Sequence, residues 1–106
     1  AARSDVDAAA RDAARAASLA RSPDQAERDG IAAAKATLRE GTVTCRRLFV
    51  DIDRAGFAAD GVVTANVRCL VEIESLTGVR VPALQTVSAS FSEPVEDLTE
   101  LDLLPS

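Results

Sequence analysis

The chain has 106 residues, three phenylalanines, no tyrosine, tryptophan or histidine, and a formal net charge of −5. This length allows one small domain with a modest core, and the charge argues against nucleic acid and anionic membrane surfaces as partners. Without histidine the usual general base and the commonest metal ligand are missing, and there is no run of about 18 apolar residues to span a bilayer.

The alanine-rich residues 1–22 predict a first helix with a narrow apolar stripe. The stripe follows helical spacing and consists of Val6, Ala10, Ala13, Ala17 and Ala20. Such small side chains permit close helix approach but bury little area. We therefore expect a stalk that uses this stripe to contact other helices and makes few contacts with the rest of the domain. On this hypothesis, deleting residues 1–15 leaves the melting temperature nearly unchanged.

A second helix is predicted over residues 23–40, so that the helical region is kinked or split near Ser22-Pro23. Ser22 suits the N-cap, Pro23 the first helical position, and Gln25 the closing position of a capping box. Gly41 is predicted to end the helix as a C′ glycine.

The second helix has its own narrow apolar stripe, formed by Ile31, Ala34 and Leu38. Gly30 weakens its middle by roughly 1 kcal/mol relative to alanine. We expect this helix to lie on the apolar face of the sheet that follows.

Residues 42–93 alternate between apolar and polar side chains, which predicts strands buried on one face. The predicted inward positions are Leu48, Val50 and Ile52 in a first strand; Val63, Ala65, Val67, Cys69, Val71 and Ile73 in a second; and Val87, Ala89 and Phe91 in a third. Short glycine-containing connections favour hairpins. The predicted fold is α+β, an N-terminal helical region followed by a three-stranded antiparallel meander.

Cys45 and Cys69 are the only cysteines, and they fall on neighbouring predicted strands. Their spacing fits no zinc motif, and no base is present to activate a catalytic thiol. Centring the first hairpin on Phe57 places residue 45 opposite residue 69. A disulfide is the favoured interpretation, and two buried free thiols remain the alternative.

Matching the apolar faces of the first hairpin gives a slightly different alignment. It pairs Leu48 with Val67 and Val50 with Ala65, which places Cys45 in a bulge or just before the ladder.

The segment "DIDRAGFAADG" partly matches an EF-hand calcium loop. Asp51, Asp53 and Gly56 fit its first half, but Ala55 and Val62 stand where the loop needs oxygen ligands. We interpret these acids as solvated hairpin residues.

No catalytic residue, metal or cofactor is predicted. An acid pair would need a pocket that gathers Asp51, Asp53 and Asp60, and no glycine-rich phosphate loop or serine–histidine pair is present. The residue types and their spacing therefore argue against an enzyme.

The acidic residues 94–106 carry Val95, Leu98, Leu101 and Leu104 at helical spacing. The simplest interpretation is a frayed terminus with a short turn of helix, and the alternative is a docking segment for a partner.

Taken together, "DAARAASLARSP", the two cysteines, "GF" in the first hairpin, "LTG" and "TVSASFSEPVE" form one pattern along the chain. This pattern resembles the TadE-like proteins of tight-adherence (Tad/Flp) pilus systems, in the form found in actinobacteria. The likeness covers essentially the whole chain, and "VSASFSEPV" and the cysteine placement are its sharpest parts.

The resemblance implies a pilin-like fold and a minor pilin or pseudopilin with a structural role in pilus assembly. It also implies a membrane-anchored protein at the cell surface, whose N-terminal transmembrane helix continues into the alanine-rich helix and is lacking here. Its expected partners are other pilin subunits and the Tad assembly machinery, and the soluble domain alone is expected to be monomeric or weakly associating. The alternative hypothesis is a secreted or surface adhesion module that binds through the exposed sheet.

Overall fold

The structure, a computed structural model, describes residues 2–41, 43–58, 60–73 and 83–95. Its elements are α1 (Ala2–Ser18), α2 (Pro23–Glu40), β1 (Arg47–Asp53), β2 (Val62–Ile73) and β3 (Ala83–Pro94). The three strands form one antiparallel sheet in the order β1-β2-β3. The predicted α+β arrangement is therefore confirmed.

The helical region is split at the predicted place. The Ser22 side chain accepts a hydrogen bond from the Gln25 amide at 3.1 Å, and the Gln25 side chain accepts one from the Arg21 amide at 3.3 Å. These bonds satisfy backbone donors at the start of α2, and Pro23 occupies its first turn.

Gly41 ends α2, but not in the left-handed conformation typical of a C′ glycine. Its backbone is extended, with φ −82° and ψ −177°, and its N–H donates to the Thr37 carbonyl. A Cβ at this position would lie 2.7 Å from a carboxylate oxygen of Asp5, so a larger residue here would require the Asp5 side chain to shift.

Where the structure describes side-chain burial, the inward faces of the strands are those predicted, but the register of the first hairpin is not. Leu48 lies opposite Cys69 and Val50 opposite Val67, two residues from the predicted pairing. The reason is that the connection makes two successive turns, closed by bonds from the Phe57 N–H to the Arg54 carbonyl and from the Gly61 N–H to the Ala58 carbonyl. A shift of two residues keeps every side chain on its face, so the alternation alone does not reveal it.

The helices pack in an arrangement that the sequence analysis did not predict. The first helix, α1, lies across β2 and β3, while α2 packs beside α1 and contacts β1. The second helix contacts the sheet as expected, but mainly at β1. The expectation that the first helix is a stalk with few contacts is wrong, because α1 covers β2 and β3.

The core is built mainly from small side chains. Val6 and four alanines of α1 (Ala9, Ala13, Ala14 and Ala17) are completely buried, together with Val63, Ala65, Val67 and Cys69 of β2. Alanines bring the backbone of α1 close to the sheet, so that a chain with few large apolar residues still excludes water between its layers.

Candidate functional site

Cys45 and Cys69 form a disulfide, as favoured by the sequence, and no cysteine of the described residues is free. Cys45 is half-buried and precedes β1, while Cys69 is fully buried in β2. The position of Cys45 just before the ladder is confirmed. The bond ties the segment that follows α2 to the central strand.

An open groove of about 450 Å³ lies beside this disulfide. Its lining residues are Lys35, Leu38, Arg39, Gly41, Val43, Thr44, Cys45 and Leu48. The lining is of mixed polarity, and its two charged residues are both basic. The lining holds no carboxylate and no free thiol, so the groove provides neither an acid pair nor a nucleophilic cysteine.

The chain that leaves α2 is fixed by a residue from the first turn of α1. The Asp5 carboxylate accepts a hydrogen bond from the Val43 amide at 3.1 Å. The beginning of α1 is thereby joined to the start of the disulfide-bonded segment. Sequence reasoning missed this contact because its two partners lie 38 positions apart and share no local pattern.

The three aspartates that a catalytic acid pair would require do not line the groove. Asp51, Asp53 and Asp60 are all exposed. The Asp53 carboxylate accepts a hydrogen bond from the Ala55 amide at 3.1 Å, and Asp60 lies in a left-handed turn with φ 66°, a conformation that aspartate tolerates. Within the described ranges, no three histidine, cysteine or acidic side chains are grouped to hold a metal ion.

The β1–β2 loop is held against the start of α2 by ion pairs. The Arg54 guanidinium bonds the Asp24 carboxylate and lies 3.4 Å from the Glu27 carboxylate. All three side chains are substantially exposed to solvent, so the cluster orients the loop and adds little stability.

The five residues predicted as a helix interface are buried inside the domain. Val6, Ala10, Ala13, Ala17 and Ala20 are each at most 2% exposed. They are covered by the sheet and by α2, so this stripe is not a free surface for another subunit. The exposed side of α1 carries charged residues four positions apart, namely Arg3, Asp7, Arg11 and Arg15.

The outer face of the sheet is mostly polar. The Thr64 and Ser92 hydroxyls lie 2.8 Å apart across two strands, and Arg68 stacks over the Phe49 ring at 5.0 Å from its centroid. Among the described residues, this face presents hydroxyl groups and a cation–π pair to solvent, and it is the surface that the alternative hypothesis of an adhesion module requires.

Of the four apolar positions in the predicted tail helix, only Val95 belongs to the described residues. It is 7% exposed, and its amide donates to the Gly61 carbonyl at 2.9 Å, which closes the end of the sheet. Leu98, Leu101 and Leu104 lie outside the described residues.

Comparison with known proteins gives no relative. No family model, no curated protein and no solved structure matches the chain. Neither helix in the described part combines the length and apolar character that crossing a membrane requires.

Proposed function

We propose that this chain is the extracytoplasmic domain of a minor pilin or pseudopilin of the tight-adherence type. It acts as a structural subunit, anchored by an N-terminal membrane helix and assembled with other pilin subunits and the Tad machinery. The proposal starts from the sequence resemblance described above. The observation that carries it is α1, an N-terminal helix packed along an antiparallel sheet through a face of small residues.

The disulfide supports this assignment. Disulfides form and persist in oxidising compartments such as the periplasm and the cell surface. The bond holds the start of the sheet in place, and it would persist in a subunit that works outside the cell.

Because the alanine stripe is buried, such a subunit must contact other subunits through a different surface. Because that stripe packs within the domain, contacts along α1 must use its outer face. Asp7 and Arg15 lie there with opposite charges and are exposed. A neighbouring helix with the complementary charge order can pair with them.

Genetics in the native host tests the assignment. Deleting the gene should abolish surface pili, and the wild-type gene should restore them. The tagged protein should fractionate with membranes and be cleaved by protease added to whole cells. Normal pili in the deletion strain, or protection from the protease, would count against the proposal.

A charge swap tests whether the outer face of α1 contacts a neighbouring subunit. The pair of substitutions Asp7→Arg and Arg15→Asp should leave the domain folded, as judged by circular dichroism, but reduce piliation. The matched control is Arg28→Glu with Glu40→Arg on the exposed side of α2, which should leave piliation normal. Equal piliation in both variants would exclude α1 as the contact.

The polar outer face of the sheet favours a second candidate, a surface adhesion module. Replacing exposed Ser88 and Ser90 with glutamate should then abolish binding of cells to a surface while pili persist. The gene deletion separates the two candidates, because pili should be lost if the protein is a pilus subunit and should persist if it is an adhesion module.

A further inference from the structure

The third strand is a long sheet edge. β3 spans 12 residues and, in the part of the chain that the structure describes, it pairs only with β2. Alternate residues of an edge strand direct their backbone N–H and C=O groups away from the sheet. Such groups form a template for another strand.

The two edges of the sheet differ in charge. β1 carries Arg47, Asp51 and Asp53 within seven residues. In β3, residues 83–92 contain no charged side chain, and the only charge is Glu93 near the end. Soluble proteins usually protect an edge with charges, proline or bulges. The first edge carries that protection, and the second lacks it over ten consecutive residues.

We propose that β3 pairs with β3 of a second copy of this chain, antiparallel and centred on Ala89, to form a continuous six-stranded sheet. An antiparallel pair related by a two-fold axis keeps both apolar faces on the same side of the sheet. Residues that lie opposite each other across the two strands must point to the same side of the sheet. The two-fold axis must therefore pass midway between the two copies of one residue.

Centring on Ala89 gives favourable side-chain pairs. Val87 then faces Phe91 of the second copy, a favourable pairing of a β-branched and an aromatic side chain. Centring on Ser88 would instead place Phe91 opposite Gln85. With the axis at Ala89, Glu93 faces Gln85, so no charge faces a like charge.

The helices extend on the same side as the apolar face of the sheet. α1 packs over both β2 and β3, so in the proposed dimer the two copies of α1 lie on the same side of the six-stranded sheet. The second copy therefore extends the helical layer together with the sheet.

Sedimentation analysis of the 106-residue chain tests the proposal independently of the pilus assignment. Across micromolar to millimolar concentration the mass should rise from 11.1 kDa to twice that value. The double variant Ser88→Lys, Ser90→Lys places lysine opposite lysine in the proposed register, and should weaken dimerisation by at least about tenfold. The matched variant Ser88→Thr, Ser90→Thr keeps the strand neutral and should still dimerise.

Cross-linking tests the register without relying on the lysine variant. Under mild oxidation, a mixture of Ser88→Cys and Ser90→Cys proteins should form a mixed disulfide faster than either protein alone, because residue 88 faces residue 90 of the second copy. A chain that stays monomeric at millimolar concentration overturns the proposal. So does a folded lysine variant that dimerises normally, or faster cross-linking within one variant than between the two.

Discussion

At the scale of single residues, Gly30 explains how α2 reaches both α1 and β1. A Cβ built at this position would lie 2.7 Å from Cδ1 of Ile52 and 3.3 Å from the carbonyl oxygen of Ala13. The glycine that weakens an isolated helix is therefore the residue that allows close packing here.

We expect Gly30→Ala to destabilise the domain by up to about 2 kcal/mol, because the added methyl overpacks a buried contact by about 1–3 kcal/mol while the better helix propensity of alanine offsets about 1 kcal/mol of that cost. In an exposed helix the same change would stabilise by up to about 1 kcal/mol. Urea unfolding measures the difference. Repeating it in an Ile52→Val background, which removes the clashing Cδ1, should reduce the loss. A stabilised single variant would contradict the close approach.

The disulfide is the other decisive feature at this scale. It closes a loop of 24 residues, for which the chain-entropy estimate gives about 3 kcal/mol. Reduction of the wild-type protein should lower its stability by this order, measured by chemical denaturation with and without reductant. The Cys45→Ala, Cys69→Ala double variant serves as the control, since its stability should not respond to reductant. Two titratable thiols in the denatured, unreduced protein would contradict the bond.

At the scale of elements, α1 is a core helix. Its stripe of small residues meets the sheet and α2, and its polar side is bonded to α2 through Asp12, whose carboxylate accepts from the Thr37 hydroxyl at 2.6 Å. Arg11 stacks over Phe91 of β3 at 5.6 Å from the ring centroid. Enlarging the stripe therefore disturbs the domain itself.

We expect Ala13→Leu to cost about 1–3 kcal/mol or more, because the buried alanine has no space for three further carbons. The matched variant Ala36→Leu makes the same chemical change on the exposed side of α2 and should change stability by less than about 0.5 kcal/mol. Thermal unfolding of the two proteins gives the comparison. Equal melting temperatures would restore the stalk hypothesis.

At the scale of the whole molecule, helices and sheet share one core. Removing α1 would uncover the inward face of β2, including Val63 and Val67, which are completely buried. Exposed apolar surface of this kind produces loosely packed states that bind hydrophobic dyes.

Deleting residues 1–15 should therefore abolish cooperative thermal unfolding and increase binding of a hydrophobic dye. A control that lacks only residues 1–3, and so keeps the buried Val6, should unfold like the full chain. Cooperative unfolding of the longer deletion at an unchanged temperature would show that the sheet folds without the helix.

The sequence by itself determined the elements. With only two cysteines in the chain, their pairing could be predicted without knowing the register. The cap at Ser22, the end of α2 at Gly41 and the alternating faces of the strands depend on neighbours in the chain or on a fixed period of two. Each of these features has a local physical cause, so each is readable without the fold.

Only the tertiary structure decided which helix covers the sheet, which hairpin register is used and why Gly30 is a glycine. An alanine stripe fits an extended stalk and a tightly packed core helix equally well, because its small area gives no strong preference for either. A register shift of two preserves both faces, and the partners of Asp5 and Gly30 are distant in sequence. These choices depend on how closely backbones approach in three dimensions, which no local pattern of this chain encodes.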